Sequence, residues 1–278
     1  LYYNFFSLFV YYLKMKYIIQ CYLIRTHDFF ITFILEFYAN SQKVNLSIFQ
    51  TCLFLGNIAI FILRQLIMNE NTLFESIFSY CKSVTKEFNL ISEKRKKDLL
   101  SLSSYIKSKF DNNDIPKIIV ICTHNSRRSH LGQIWLSVAS KYYQLPDVQT
   151  FSGGTEATAF NPRAVTALKK AGFDIKNTAE DNINPTYFIK FDHKTPAYQA
   201  FSKKYDSAPN PRENFAAVLV CSEADNGCPI VNGADFRLFL PFDDPKMFDD
   251  TDLEGLKYDE RCKHIAREMM FVAANIYA

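Results

Sequence analysis

One short segment carries residue types that can hold and attack a tetrahedral oxyanion. Residues 122–129 read CTHNSRRS, in which Arg128 follows Cys122 by six positions and Ser129 comes directly after. A cysteine thiolate is a strong nucleophile, and an arginine guanidinium is a planar donor that binds two oxygens of an oxyanion. The hydroxyl of Ser129 can donate a hydrogen bond to the thiolate. Because a chain with seven cysteines matches this spacing by chance at an appreciable rate, the surrounding elements must support the interpretation.

The segment lies between a predicted strand and a predicted helix. Residues 117–122 form an apolar run typical of a buried strand, and apolar residues recur at helical spacing over 129–142. A loop at the start of a helix gathers backbone N–H groups at its positive end, which favours bound anions and the thiolate form of a cysteine. We therefore predict an oxyanion loop with Cys122 as nucleophile and Arg128 as clamp. The other loop residues expected to bind the oxyanion are Thr123, His124, Asn125, Ser126 and Arg127.

The remainder of this region alternates between strand-like and helix-like patterns. Apolar runs at 148–151, 215–221 and 236–240 predict three further strands. Asn161 and Pro162 predict the start of a helix that ends at Gly172, and a last helix is predicted to start with Asp252 as its N-cap. Strands that alternate with helices predict an α/β fold, a parallel sheet with helices on both faces.

The loop sequence resembles the nucleophile loop of low-molecular-weight protein tyrosine phosphatases and of thioredoxin-coupled arsenate reductases. The motifs SGG (152–154), NPRAV (161–165) and FDDP (242–245) agree with this family in order and spacing. The resemblance covers residues 117–278. It implies a four-stranded parallel sheet with the phosphate loop after the first strand, and it implies that Asp244 is the general acid.

Two loop positions depart from the family pattern. His124 stands where the family usually has glycine, and histidine is among the less unfavourable alternatives if that position needs a positive φ. Arg127 stands where both subfamilies commonly have a second cysteine, so a disulfide within the loop is excluded. Residues 184–214 also exceed the family core. Two interpretations of this insertion stay open, an extra hairpin over the site and a surface excursion.

The two subfamilies share the first chemical step and differ in the later ones. A reductase needs a second thiol to release arsenite and a third to resolve the disulfide, whereas a phosphatase uses water. Residues 221–229 (CSEADNGCP) resemble the relay segment of the reductases, which implies Cys221 and Cys228 in these roles and thioredoxin as external reductant. Arsenate reductase is thus the leading hypothesis. The alternatives are a low-molecular-weight protein tyrosine phosphatase and a non-catalytic module that binds oxyanions or senses redox state.

Composition narrows the class of protein further. A net charge of +3 over 278 residues does not indicate a nucleic-acid-binding surface. An odd number of cysteines in a chain of this length speaks against a secreted disulfide scaffold and favours the cytoplasm. We expect neither a cofactor nor a metal. The cysteines outside the loop and relay, Cys21, Cys52, Cys81 and Cys262, are interpreted as structural or incidental.

The amino-terminal part differs in composition from the rest. Residues 1–67 are rich in Phe, Tyr, Ile and Leu, and residues 44–63 are uncharged over about the length that spans a bilayer. One hypothesis is a membrane anchor. The other is upstream AT-rich DNA translated in frame, with Met68 as the true start. Residues 68–114 predict a helical extension, with Ser92 as an N-cap, before a catalytic domain at 115–278.

Overall fold

The computed structural model describes residues 72–178, 183–222, 224 and 230–277. The chain divides into two compact units, Leu1–Asn69 and Glu70–Ala278. The first unit lies outside the described residues, and so do both hypotheses about residues 1–67 and the apolar stretch 44–63. Within the described ranges, no helix is long and apolar enough to cross a membrane.

The described part of the second unit is an α/β fold. Two 3-10 turns, Phe88–Leu90 and Pro245–Phe248, accompany its regular elements. In chain order these are α1 (Glu75–Thr85), α2 (Glu93–Asp111), β1 (Lys117–Cys122), α3 (Arg128–Tyr142), β2 (Gln149–Gly154), α4 (Pro162–Ala171), β3 (Asp174–Asn177), β4 (Tyr187–Lys190), β5 (Tyr198–Ala200), β6 (Phe215–Leu219), β7 (Ala234–Phe239) and α5 (Glu254–Ala274).

Four parallel strands form the central sheet in the order β2-β1-β6-β7. The inner strands β1 and β6 are buried over nearly their whole length, which explains why their sequences are continuous apolar runs. The four strands predicted from the sequence are all present, and the predicted four-stranded parallel sheet with flanking helices is confirmed.

The helix after the nucleophile loop packs closely on the first strand. A Cβ at Gly132 would lie 2.9 Å from a methyl group of Val120 in β1, so the side chain of a larger residue would push α3 outwards. Because Arg128 is the first residue of α3, this close packing also fixes the backbone position of Arg128 relative to β1.

The amino-terminal extension shares the core of the catalytic region. Ser92 caps α2 as predicted, since its side chain accepts a hydrogen bond from the backbone N–H of Arg95 at 3.3 Å. Both α1 and α2 pack against α5. Their buried side chains belong to the same apolar cluster as the central sheet and include Ile77, Val84, Leu99, Leu102 and Ile106.

The insertion contains a hairpin, and its partner is a strand that the sequence did not predict. β4 and β5 pair antiparallel, and β4 pairs on its other side with β3 to complete a second, three-stranded sheet. After β5 the chain returns to the end of β2, where Gly154 and Lys204 form an isolated parallel bridge.

One predicted helix start is wrong. We predicted Asp252 as the N-cap of the last helix, but α5 begins at Glu254 after Leu253, which makes no side-chain cap. The carboxylate of Glu254 instead accepts a hydrogen bond from the backbone N–H of Asp250 at 2.7 Å. Asp250 has a φ of 62°, and this left-handed turn displaces the helix start towards the carboxyl terminus.

Candidate active site

The thiol of the nucleophile loop lies in a directed chain of hydrogen bonds. Cys122 is buried at the end of β1, and its Sγ lies 3.0 Å from the Oγ of Ser129. The side-chain amide nitrogen of Asn125 donates to the same Oγ at 2.9 Å. Because this nitrogen can only donate, Ser129 accepts from Asn125 and directs its own hydrogen to the sulfur. The arrangement stabilises negative charge on Cys122.

The left-handed backbone position in the nucleophile loop is Asn125, one residue after His124. Asn125 has a φ of 44°, in the left-handed region that asparagine tolerates, whereas His124 has a negative φ. The carbonyl of His124 accepts hydrogen bonds from the hydroxyls of Ser202 and Thr158, and its imidazole lies 3.7 Å from the carboxylate of Glu156. The condition considered for His124, a positive φ, is therefore not met at this position.

The residues that follow β5 in the insertion form hydrogen bonds with the nucleophile loop and with the end of β2. The backbone N–H of Lys203 donates to Oδ1 of Asn125 at 2.9 Å, and the carbonyl of Lys203 accepts from Gly154 at 2.9 Å. A Cβ at Gly154 would lie 2.2 Å from the carbonyl oxygen of Glu156 and 2.7 Å from the backbone nitrogen of Asn125. The SGG motif thus allows three backbone segments to meet under the nucleophile loop.

The side chain of Arg128 joins the nucleophile loop to residues 242–245, which are called the Asp-Pro segment below. Its Nη1 donates to the carbonyl of Phe242 at 2.8 Å, and its Nη2 donates to Oδ2 of Asp244 at 2.6 Å. Asp243, by contrast, has a side chain that is 91% exposed and pairs with Arg261. The structure thus brings Asp244, and not Asp243, to the predicted oxyanion clamp.

Arg127 points away from the loop. Its Nε donates to the hydroxyl of Tyr258 at 2.7 Å, and its Nη2 donates to the carboxylate of Asp249 at 3.1 Å. The side chain of Arg127 is therefore engaged by Tyr258 of α5 and by Asp249, and the role of Arg127 in oxyanion binding stays a prediction for its backbone N–H. Thr123 and Ser126 adjoin the site as part of the loop backbone, and Ser126 accepts from the N–H of Asn161.

The first of the two predicted relay cysteines lies beside the loop. Cys221 follows β6, which pairs with β1, and its Sγ lies 3.3 Å from the hydroxyl oxygen of Thr123, the residue after the nucleophile. Cys228 lies outside the described residues, so its place relative to Cys221 stays a prediction.

Two other cysteines are buried, and burial disfavours their thiolate forms. Burial raises the pKa of the Cys81 thiol to about 12, and burial likewise raises the pKa of Cys262 to about 12. Cys262 also accepts a hydrogen bond from the indole N–H of Trp135 at 3.3 Å. Both thiols therefore stay protonated near neutral pH, as a structural role requires.

A buried lysine near the loop was missed in the sequence. Lys203 is 8% exposed, its Nζ lies 4.8 Å from the centroid of the Phe201 ring, and burial lowers its pKa to about 8. Burial and the nearby charge of Lys203 together hold the pKa of His130 well below its usual value. In the described ranges, no group of three or more His, Cys, Asp or Glu side chains could hold a metal ion.

Comparison with known proteins identifies the superfamily, although no protein-family model matches the chain. Arsenate reductase 2 of Staphylococcus haemolyticus is 31% identical over 132 residues, which are 48% of this chain and 80% of that protein. The arsenate reductase of Bacillus subtilis is 27% identical over 146 residues, 52% of this chain and 86% of that protein.

Similar solved structures include a low-molecular-weight phosphotyrosine phosphatase from Vibrio cholerae, with a TM-score of 0.35 and 14% identity over 58% of this chain and 93% of that one. Another is a YwlE mutant from Bacillus subtilis, with a TM-score of 0.39 and 15% identity over 59% of this chain and 99% of that one. On the strength of the arsenate reductase matches, the chain belongs to the superfamily of low-molecular-weight protein tyrosine phosphatases and arsenate reductases.

Proposed function

We propose that this protein is an arsenate reductase that works through a cysteine relay. The observation that carries the proposal is the position of Cys221, whose sulfur lies 3.3 Å from the side chain that follows the nucleophile. Relatives named arsenate reductase, at about 30% identity, support the same function. A phosphatase has no use for a thiol at this place.

In the first step Cys122 attacks arsenate held in the loop. Backbone N–H groups at the start of α3 and the guanidinium of Arg128 bind the oxyanion. The sulfur forms a bond to arsenic, and the bond from arsenic to one oxygen breaks as Asp244 supplies the proton for the departing water. Ser129 stabilises the thiolate before the attack, through the hydrogen bond that Asn125 directs.

In the second step the relay reduces arsenic. The thiolate of Cys221 attacks the sulfur of Cys122, a disulfide forms, and the electron pair of the sulfur–arsenic bond stays on arsenic, which leaves as arsenite. A disulfide requires Cα atoms about 4.4–6.8 Å apart. Cys122 ends β1, Cys221 lies two residues beyond the end of β6, and the last pair of these neighbouring strands is Ile121 with Leu219. We propose that the turn after β6 brings the two thiols to bonding distance.

In the third step Cys228 attacks Cys221 and frees Cys122. The resulting disulfide is then reduced by an external dithiol, for which we propose thioredoxin. Because free nucleophilic thiols persist in a reducing compartment, we also propose a cytoplasmic location.

A second candidate function is hydrolysis of phosphotyrosine. Cys122, Arg128 and Asp244 would suffice for it, with water in place of Cys221 in the second step. The deciding experiment measures two turnovers of the wild-type protein, with Cys122→Ser as the blank. One uses arsenate with thioredoxin and thioredoxin reductase, and the other uses p-nitrophenyl phosphate. Thioredoxin-dependent arsenate turnover supports the proposal, and hydrolysis without arsenate turnover selects the phosphatase.

A further inference from the structure

The segment that carries Asp244 is held by a residue of the amino-terminal extension. Arg95 lies in α2, before the region that resembles the family. Its Nη2 donates to the carbonyl of Pro241 at 3.0 Å, and its guanidinium carbon lies 4.7 Å from the centroid of the Phe242 ring. The carbonyl of Phe242 in turn accepts the hydrogen bond from Arg128. One guanidinium therefore contacts two residues that precede Asp244 in the chain, and one of them, Phe242, is also bound by Arg128.

Arg95 is itself fixed by a buried carboxylate. Its Nε donates to Oε2 of Glu268 at 2.9 Å, and the Glu268 side chain is 2% exposed. The other oxygen of Glu268 lies 3.0 Å from Nε2 of His264, whose ring meets Phe242 edge-on. Burial on its own raises the pKa of Glu268, but the hydrogen bonds from His264 and Arg95 outweigh it and lower that pKa. The carboxylate is thus charged and holds Arg95 in one orientation.

This geometry differs from that of an ordinary surface ion pair. The side chain of Arg95 donates one N–H to the carbonyl of Pro241 and another to Glu268, while the face of its guanidinium covers the Phe242 ring. A planar guanidinium can make these contacts at once, whereas a lysine ammonium on a flexible stem makes only part of them. Phe242 is enclosed by Arg95 and by His264.

We propose that Arg95 is a positioning residue that fixes Pro241 and Phe242 and thereby sets where Asp244 meets Arg128. The inference rests on the proposed function, in which Asp244 is the general acid. This role of Arg95 makes the amino-terminal extension part of the active site. Because a misplacement of about 1 Å can cost about 100-fold in rate, loss of Arg95 is expected to lower kcat about 10- to 100-fold. KM changes less than about three-fold, since the loop that binds the oxyanion keeps its own contacts.

The test compares variants of the full chain by two readouts. The first is hydrogen–deuterium exchange in the peptide covering residues 240–248, and the second is kcat and KM for arsenate or p-nitrophenyl phosphate. The variants are Arg95→Met, the conservative Arg95→Lys, and Arg95→Met with Glu268→Gln, which removes the buried charge that Arg95→Met leaves without its arginine partner. Lys96→Met is the matched control, because Lys96 pairs with Glu93 on the same helix.

We expect faster exchange in residues 240–248 and lower kcat for Arg95→Met, an intermediate result for Arg95→Lys, and wild-type behaviour for Lys96→Met. The double variant is expected to keep the folded-state exchange of β1 and α3 while the 240–248 peptide still exchanges faster. Unchanged exchange and kcat in that double variant overturn the inference. If the wild type turns over neither substrate, the proposed function fails, while the exchange experiment still decides the role of Arg95.

Discussion

Two neighbouring aspartates in the Asp-Pro segment illustrate how position decides a role at the scale of the residue. Asp244 accepts a hydrogen bond from Arg128 and is about one-third exposed, whereas Asp243 lies in solvent beside Arg261. Both have the same chemistry, so only the contacts separate them. The Asp-Pro resemblance pointed to Asp244, and its contact with Arg128 supports that choice.

Replacing Asp244, the proposed general acid, should slow the chemical step. We expect Asp244→Asn to lower kcat by about 10²–10⁴-fold, the usual contribution of a general acid. Asp243→Asn should lower it less than about two-fold, because its carboxylate touches no residue of the loop. Steady-state kinetics on arsenate and on p-nitrophenyl phosphate measure both effects. The opposite ranking of the two variants would show that Asp243 is the acid.

The relay cysteines make a prediction that separates reductase from phosphatase. Cys221→Ser should allow arsenate to react at Cys122 and should block release of arsenite. Cys228→Ser should stop after one turnover with a disulfide between Cys122 and Cys221, which mass spectrometry of the intact protein and its peptides detects. Neither change should reduce hydrolysis of p-nitrophenyl phosphate more than about two-fold. Continued thioredoxin-dependent turnover by either variant would exclude this relay.

At the scale of elements, the insertion after α4 supports the nucleophile loop. Its hairpin joins β3, and the following residues place Ser202 and Lys203 against the backbone and side chain of the loop. The sequence indicated an insertion with two interpretations, and the structure shows a hairpin whose return segment braces the loop. Such contacts join residues more than 70 positions apart, and local periodicity contains no sign of them.

Three backbone segments meet at Gly154, so adding one methyl group there should lower both stability and oxyanion binding. Gly154→Ala places a Cβ 2.2 Å from a carbonyl oxygen, so the loop must shift. We expect weaker protection of Cys122 from iodoacetamide by arsenate and a free energy of unfolding lower by about 1–3 kcal/mol. Gly255→Ala is the matched control, since its Cβ would meet only the Nζ of Lys170 at 3.7 Å. Equal behaviour of the two variants in urea denaturation and alkylation would contradict the argument.

The buried lysine of the same segment predicts a pH dependence of stability. Burial lowers the pKa of Lys203 to about 8, below the value of about 10.4 for an unfolded lysine. Between these values the unfolded chain binds the proton and the folded chain does not, so the Lys203 contribution to stability rises with pH. Lys203→Met should therefore raise the free energy of unfolding at pH 7, and this gain should shrink as pH rises from 8 to 10.5. Urea denaturation across this range measures it, with the exposed Lys204→Met as control. A gain that is constant with pH would show that Lys203 is not the group responsible.

For the whole molecule, the sequence predicted what depends on local order and missed what depends on long-range packing. β1, the loop and α3 follow one another directly, and their apolar periods identify them. Asp252 was misassigned because the aspartates before α5 form turns whose shape depends on partners such as Arg127 and Arg163. The contact of Arg95 with Pro241 joins two residues that are 146 positions apart in the chain, and no motif indicates it.

The shared core of the second unit predicts how the chain responds to shortening. A chain that starts at Met68 retains α1, α2 and Arg95, so we expect wild-type kcat and cooperative unfolding. A chain that starts at Ile115 lacks both helices. It would expose the part of the apolar cluster that Leu99, Leu102 and Ile106 cover, because these side chains are fully buried in it. Each large apolar side chain contributes about 1.5–3 kcal/mol on burial, and natural domains are stable by only about 5–15 kcal/mol. We therefore expect the shorter chain to lose cooperative thermal unfolding in calorimetry, together with its turnover. A chain starting at Ile115 that unfolds cooperatively and turns over arsenate at the wild-type rate would show that neither the core nor the Asp-Pro segment depends on the extension.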